Sequence, residues 1–209
     1  MQSTVHMTTN KLAFLLFAIV ALVGCTGGPA RLVPPSVSRG AADAAIAEYD
    51  ANDDGAISGQ EIGKVPAFSA ARSRIDRDGD GRITADEIEH RIDVWRDSRL
   101  VLMQVLVTVR TNGKAVQNAE VTFVPEKWLG SAIMPAQGTT DSNGMANMTI
   151  SAEKDATGVN PGFYRIEVSK VLGGKETIAS RYNAQTELGV EVTPEAMELQ
   201  NLPIDLRSR

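Results

Sequence analysis

The hydrophobic rhythm of the chain changes along its length. Residues 12–23, LAFLLFAIVALV, are an unbroken apolar run behind Lys11. Residues 26–40, TGGPARLVPPSVSRG, have no periodicity and are rich in Gly, Pro and Ser, the composition of a tether. From 41 to 98 the apolar residues recur at helical spacing. Ala45, Ile46 and Tyr49 share one helical face, as do Phe68, Ala71 and Ile75, while Ile88, Ile92 and Trp95 fall at i, i+4 and i+7. Beyond 99 the pattern is that of strands: 100–109, 119–125, 145–151, 163–170, 188–192 and 202–206. Turn residues separate them at Asn112-Gly113, Gly130, Asp141-Ser142-Asn143-Gly144, Asn160-Pro161-Gly162, Gly173-Gly174 and Pro194. Asn-Gly is the strongest two-residue hairpin signal, because both residues accept positive φ. The pattern predicts an α+β multidomain chain, a small all-α pair followed by an all-β sandwich.

Charge sharpens this division. The 209 residues carry 21 basic and 26 acidic side chains, a net of −5, which leaves no surplus cation to neutralise nucleic-acid phosphates. Residues 41–98 hold fourteen acids against seven bases, a net of −7, whereas 99–209 hold twelve against eleven. Acidity this local points to a cation site. A single cysteine excludes an intrachain disulfide framework, and two histidines, His6 and His90, exclude most zinc sites and most Ser-His-Asp machinery. His90 sits in a polar stretch and reads as solvated; Glu126, Glu153 and Asp155 read as scattered acids. With no nucleophile–base pair in sight, the chain is not expected to be an enzyme.

Residues 50–61, DANDDGAISGQE, and 76–87, DRDGDGRITADE, both fit D-x-[DN]-x-[DN]-G-x5-E. Here the chain resembles the EF-hand family, and the resemblance implies two Ca²⁺ ions. A hard cation takes six to eight oxygens. In the first loop Asp50, Asn52 and Asp54 would offer side-chain oxygens, Ala56 its carbonyl, Ser58 a hydroxyl or a water, and Glu61 both carboxylate oxygens. In the second loop the same roles fall to Asp76, Asp78, Asp80, Arg82 through its carbonyl, Thr84 and Glu87. Gly55 and Gly81 permit the sharp turn. Ile57 and Ile83, at the eighth positions, would join the loops as a short antiparallel ribbon. Four ligand carboxylates against three predict that the second loop binds more tightly.

The loops start 26 residues apart, and Pro66 follows Glu61 by five. The helix leaving the first loop must therefore be short, and Pro66 should open the next. This compactness, with no Met in 41–98, argues against a sensor-type groove. Dockerins are also short calcium pairs, but their loops typically end in Asp, whereas these end in Glu. A segment of this size with few large apolar residues should couple its folding to calcium.

The run at 12–23 is too short for a comfortable permanent span and ends at Leu22-Val23-Gly24-Cys25. That string resembles the lipobox of bacterial lipoproteins. The resemblance implies cleavage before Cys25, acylation there and a mature protein tethered to a membrane through its lipid. Thr26, where an Asp would signal inner-membrane retention in enteric bacteria, leans toward the outer membrane. The strings NGKAVQNAEVTFVP, GTTDSNGMANMTI and NPGFYRIEVSK resemble the transthyretin-like, carboxypeptidase regulatory-like group, as found behind a lipobox in planctomycete-type bacteria. In that group Gly113, Gly144 and Gly162 would make turns and Asp141 would cap one. The related hydrolases of purine breakdown use histidines, which this segment lacks. Trp128 and Met134 lie in the loop 126–137, where covering one end of the sandwich outweighs ligand contact.

The expected layout is a signal peptide over 1–24, a lipidated cysteine and tether over 25–40, an EF-hand pair over 41–98 and a sandwich over 99–209. The expected protein is an extracytoplasmic, lipid-anchored calcium binder with a structural or interaction role and an envelope protein or glycan as partner. A calcium-responsive regulator and a carbohydrate-binding lipoprotein are the alternatives.

Overall fold

The computed structural model describes residues 1–2, 33–150 and 157–207. The expected signal peptide beyond its first two residues, Cys25, residues 26–32 of the tether, Glu153 and Asp155 lie outside the described residues. The chain is α+β, with a helical segment followed by an all-β part.

The helical segment runs α1 (Ala41–Tyr49), β1 (Ala56–Ser58), a 3₁₀ turn at Ile62–Lys64, α2 (Pro66–Ile75), β2 (Arg82–Thr84) and α3 (Ala85–Ser98). Pro66 stands at the start of α2, where its missing N–H costs nothing, so the exit from the first loop is held to one short turn. α3 opens with a capping box in which Thr84 and Glu87 each satisfy the other's backbone N–H, and its C-cap, Arg99, is left-handed at φ 54°. β1 and β2 pair antiparallel with Ile57 opposite Ile83. The two isoleucines are fully buried.

The β part contains β3 (Leu106–Thr111), β4 (Lys114–Ala115), β5 (Glu120–Pro125), β6 (Ala136–Thr139), β7 (Met145–Asn147), β8 (Thr149–Ile150), β9 (Gly162–Ser169), β10 (Val171–Leu172), β11 (Lys175–Glu176), β12 (Gly189–Val192) and β13 (Leu202–Leu206). One sheet has the order β12-β9-β5-β6-β8 and is antiparallel throughout. In the second, β3 pairs with β13 in parallel and with β4 and β7 antiparallel. β10 and β11 form a separate hairpin. Asn112 and Gly113 have φ of 50° and 76°, the double left-handed turn expected of Asn-Gly.

Several sequence expectations are corrected. The run 100–109 is a strand only from Leu106; upstream, Met103 makes a single bridge to Val159, and Asn160 Nδ2 caps the Val101 carbonyl. These point contacts replace a ladder. The stretch 145–151 is interrupted at Met148, whose N–H donates to the Val105 carbonyl, and its two halves enter different sheets. β6, with the sequence AQGT, carries little strand propensity and is held by pairing with β5. Gly162 begins β9 instead of making a turn, and a Cβ there would meet Ile133 Cγ2 at 3.2 Å. Asp141 does cap its turn, accepting from the N–H groups of Asn143 and Met145.

β9 organises the layers. Tyr164, Ile166 and Val168 alternate toward the same side as Phe123 of β5, and the Tyr164 and Phe123 rings lie 5.8 Å apart. Phe163 points the other way, into the helices. Its ring lies 4.9 Å from Trp95, 5.1 Å from Phe68 and 5.9 Å from Trp128. Helical segment and sheets thus share one hydrophobic core. The described residues after 32 fall in one compact unit.

Candidate metal centre

The two loops adopt the same hydrogen-bonded frame. At the first position Asp50 Oδ2 accepts from Gly55 N at 2.8 Å, and Asp76 Oδ2 from Gly81 N at 3.1 Å. At the third, Asn52 accepts from Asp54 N and Asp78 from Asp80 N. At the fifth, Asp54 Oδ1 accepts from Ala56 N and Asp80 Oδ1 from Arg82 N. At the twelfth, Glu61 folds back to accept from Ala51 N and Ser58 N, and Glu87 from Arg77 N and Thr84 N. The fourth and sixth positions are left-handed in both: Asp53 (58°) and Gly55 (83°), Gly79 (74°) and Gly81 (84°). Ser58 and Thr84 close the ribbon, opposite Arg82 and Ala56.

In the second loop, oxygens of Asp76, Asp78 and Asp80 all lie within 4.8 Å of one another. Asp76 Oδ1 is buried and has no hydrogen-bond partner. Arg72 comes no nearer to this carboxylate than 3.9 Å, at Oδ2. An orphaned buried carboxylate oxygen beside two further carboxylates is costly without a cation, so these residues fit a hard divalent ion. In the first loop the Asp54 carboxylate is already engaged. Arg82 donates to Asp54 Oδ2 at 3.2 Å, to Oδ1 at 3.0 Å and to the Asp54 carbonyl at 3.2 Å. These bonds hold the Asp54 carboxyl below its ordinary range. Sequence reasoning used Arg82 only for its carbonyl; nothing in the loop pattern signals where its side chain goes.

Two buried carboxylates on the β part, also unforeseen, grip the helices at the loops. Glu191 of β12 is fully buried. Its Oε1 accepts from Arg91 Nε at 2.8 Å and Trp95 Nε1 at 3.1 Å, and its Oε2 from Arg74 Nε at 2.8 Å. Arg74 lies two residues before Asp76, and Arg91 four after Glu87. Glu126 Oε2 accepts from the Tyr49 hydroxyl at 2.8 Å, one residue before Asp50. Burial pushes the Glu126 carboxyl up, against the lowering effect of that bond. Burial and the neighbouring Glu126 push the Tyr49 hydroxyl up as well. Trp128 is buried in the seam against Phe68 and Phe163, so it covers a helix–sheet contact. A groove of about 500 Å³ opens beside β3 and β7, lined in part by Met103, Gln104, Leu106, Asn147 and Met197. Among the described residues, neither an aromatic nor a charged side chain lines it.

The EF-hand family model matches residues 42–66 and 73–90, the segments containing the two loops. The match marks this part of the chain as an EF-hand region, the kind of segment that binds calcium. Comparison with curated proteins found no match.

Proposed function

We propose that this chain is a lipid-anchored protein of the bacterial cell envelope that binds two calcium ions as structural staples. Asp50, Asn52, Asp54, Ala56, Ser58 and Glu61 would hold one ion, and Asp76, Asp78, Asp80, Arg82, Thr84 and Glu87 the other. Bound calcium supplies charge neutralisation and fixed oxygen geometry; the chain's own residues carry that order into the sheets. The observation that carries the structural reading is the aromatic seam. Phe68 and Trp95, the apolar residues of α2 and α3 that a sensor would uncover for a target, are already covered by Phe163 and Trp128. Extracellular calcium is abundant enough to keep even weak sites filled. The lipobox string ending at Cys25 supports the anchor, and Thr26 supports the outer membrane. The transthyretin-like strings support a two-sheet spacer or adhesive module that meets an envelope protein or glycan. No catalytic step is assigned.

Calorimetric titration of the full chain with CaCl₂ tests the reading, with Glu61→Gln and Glu87→Gln each expected to remove one site. A hydrophobic dye should gain no fluorescence on calcium addition. Absence of heat would overturn calcium binding, and a large dye signal would favour a sensor. Cys25→Ser should release the protein from the membrane fraction.

A further inference from the structure

Arg82 belongs to both loops at once. Its backbone stands at the seventh position of the second loop, where its N–H donates to Asp80 Oδ1 at 2.8 Å and its carbonyl is the expected ligand. Its Cα is paired with Ser58 across the ribbon. Its guanidinium reaches further, to Asp54 at the fifth position of the first loop, and donates to both carboxylate oxygens and the backbone carbonyl. Asp54 Oδ1, the oxygen that also accepts from Ala56 N, is thereby taken up by a permanent cation. The reverse contact does not exist. The first loop has Ala56 at its seventh position, so no side chain returns from there to Asp80. The asymmetry is complete at the ligand oxygens: one loop holds a buried carboxylate oxygen without a partner, and the other has a guanidinium seated on a ligand.

We infer that Arg82 is an internal counterion that gates the first calcium loop, making it the weaker and more exchangeable site. The inference rests on the calcium-binding reading above. A cation entering the first loop must displace the guanidinium from Asp54 Oδ1 and overcome its charge, while the second loop uses only the Arg82 backbone. Removing the guanidinium therefore tightens the first site far more than the second, where it bonds to no ligand oxygen and acts only as a nearby charge beside Asp80. The pair is half-exposed at both partners, which limits the effect to about threefold to thirtyfold in affinity.

The test is calorimetry of the full chain with CaCl₂, with each loop isolated by disabling the other. In a Glu87→Gln background, Arg82→Gln should tighten the remaining site about threefold to thirtyfold, and Arg82→Lys, which keeps charge but loses the fork, should fall between. In a Glu61→Gln background, Arg82→Gln should shift affinity less than twofold. Raising KCl from about 20 to about 500 mM should shrink the difference that Arg82→Gln makes at the first site, because exposed charges are screened. Unchanged or weakened binding in the Glu87→Gln background would overturn the gate while leaving calcium binding intact. If the parent chain takes up no calcium, both readings fall.

Discussion

Gly189 and Glu191, two residues apart on β12, decide how closely the helices can approach the sheet. A Cβ on Gly189 would lie 2.2 Å from both the Pro66 carbonyl carbon and Ala67 N. Those are backbone atoms that no rotamer can move aside, so Gly189→Ala should destabilise the fold by about 3 kcal/mol, read by urea denaturation. Glu191 receives three donors in a fully buried site. Glu191→Gln turns an amide donor toward one of them and leaves the 3%-exposed Arg91 with only the exposed Glu195 as counterion. The expected loss is about 3–5 kcal/mol, measured the same way. Neither role is legible in LGVEV. Alternation there assigns Glu191 to a solvent face, yet that face is covered by helices about a hundred residues earlier in the chain. The two EF-hand segments were legible because the spacing within each loop is local and chemically constrained. Contacts between distant segments leave no such spacing.

At the scale of elements, local chemistry was a good guide where it was strong. Pro66 fixed the start of α2, and Asn112-Gly113 turned β3 into β4. It failed where an element owes its form to neighbours, as for β6 against β5 and for the split at Met148. The β10–β11 hairpin is an instructive miss, because Gly173-Gly174 marked the turn but its two-residue strands are too short to show alternation. What holds the hairpin is the carboxylate of Glu176. It accepts from Ser169 Oγ, Asn183 Nδ2 and the backbone N–H groups of Lys170, Thr177 and Ile178. Desolvation raises its pKa, but these bonds outweigh it and hold the group at about 2. A lowered folded-state value means that the charged form stabilises the hairpin above the unfolded carboxylate range near ~4.3. That contribution is lost as pH falls from there toward about 2. The amide signals of Thr177 and Ile178, followed by NMR, should shift with a midpoint near about 2, and Glu176→Gln should abolish the transition. A midpoint above the ordinary carboxylate value of ~4.3 would remove Glu176 from this role.

For the whole molecule, the consequence of a shared core is cooperativity between metal and sheet. Were the helical segment a bead on a string, chelation would melt 41–98 and leave the β part untouched. Instead Phe163 lies among Phe68, Trp95 and Trp128, Glu191 binds residues flanking the second loop, and Glu126 binds the residue before the first. Freeing the helices would expose Phe163 to water and break the bonds that Glu191 and Glu126 make to them, a loss the sheets would bear directly. Calcium binding only the folded form stabilises it by about 2.7 kcal/mol per site at a hundredfold excess over Kd. For a chain this size two filled sites should raise Tm by roughly 10–20 °C over the chelated protein. The shift should appear as one transition, with tryptophan fluorescence at the seam and far-UV dichroism of the strands moving together. Two transitions, the later one indifferent to calcium, would mean that the ions organise their own loops and nothing beyond them.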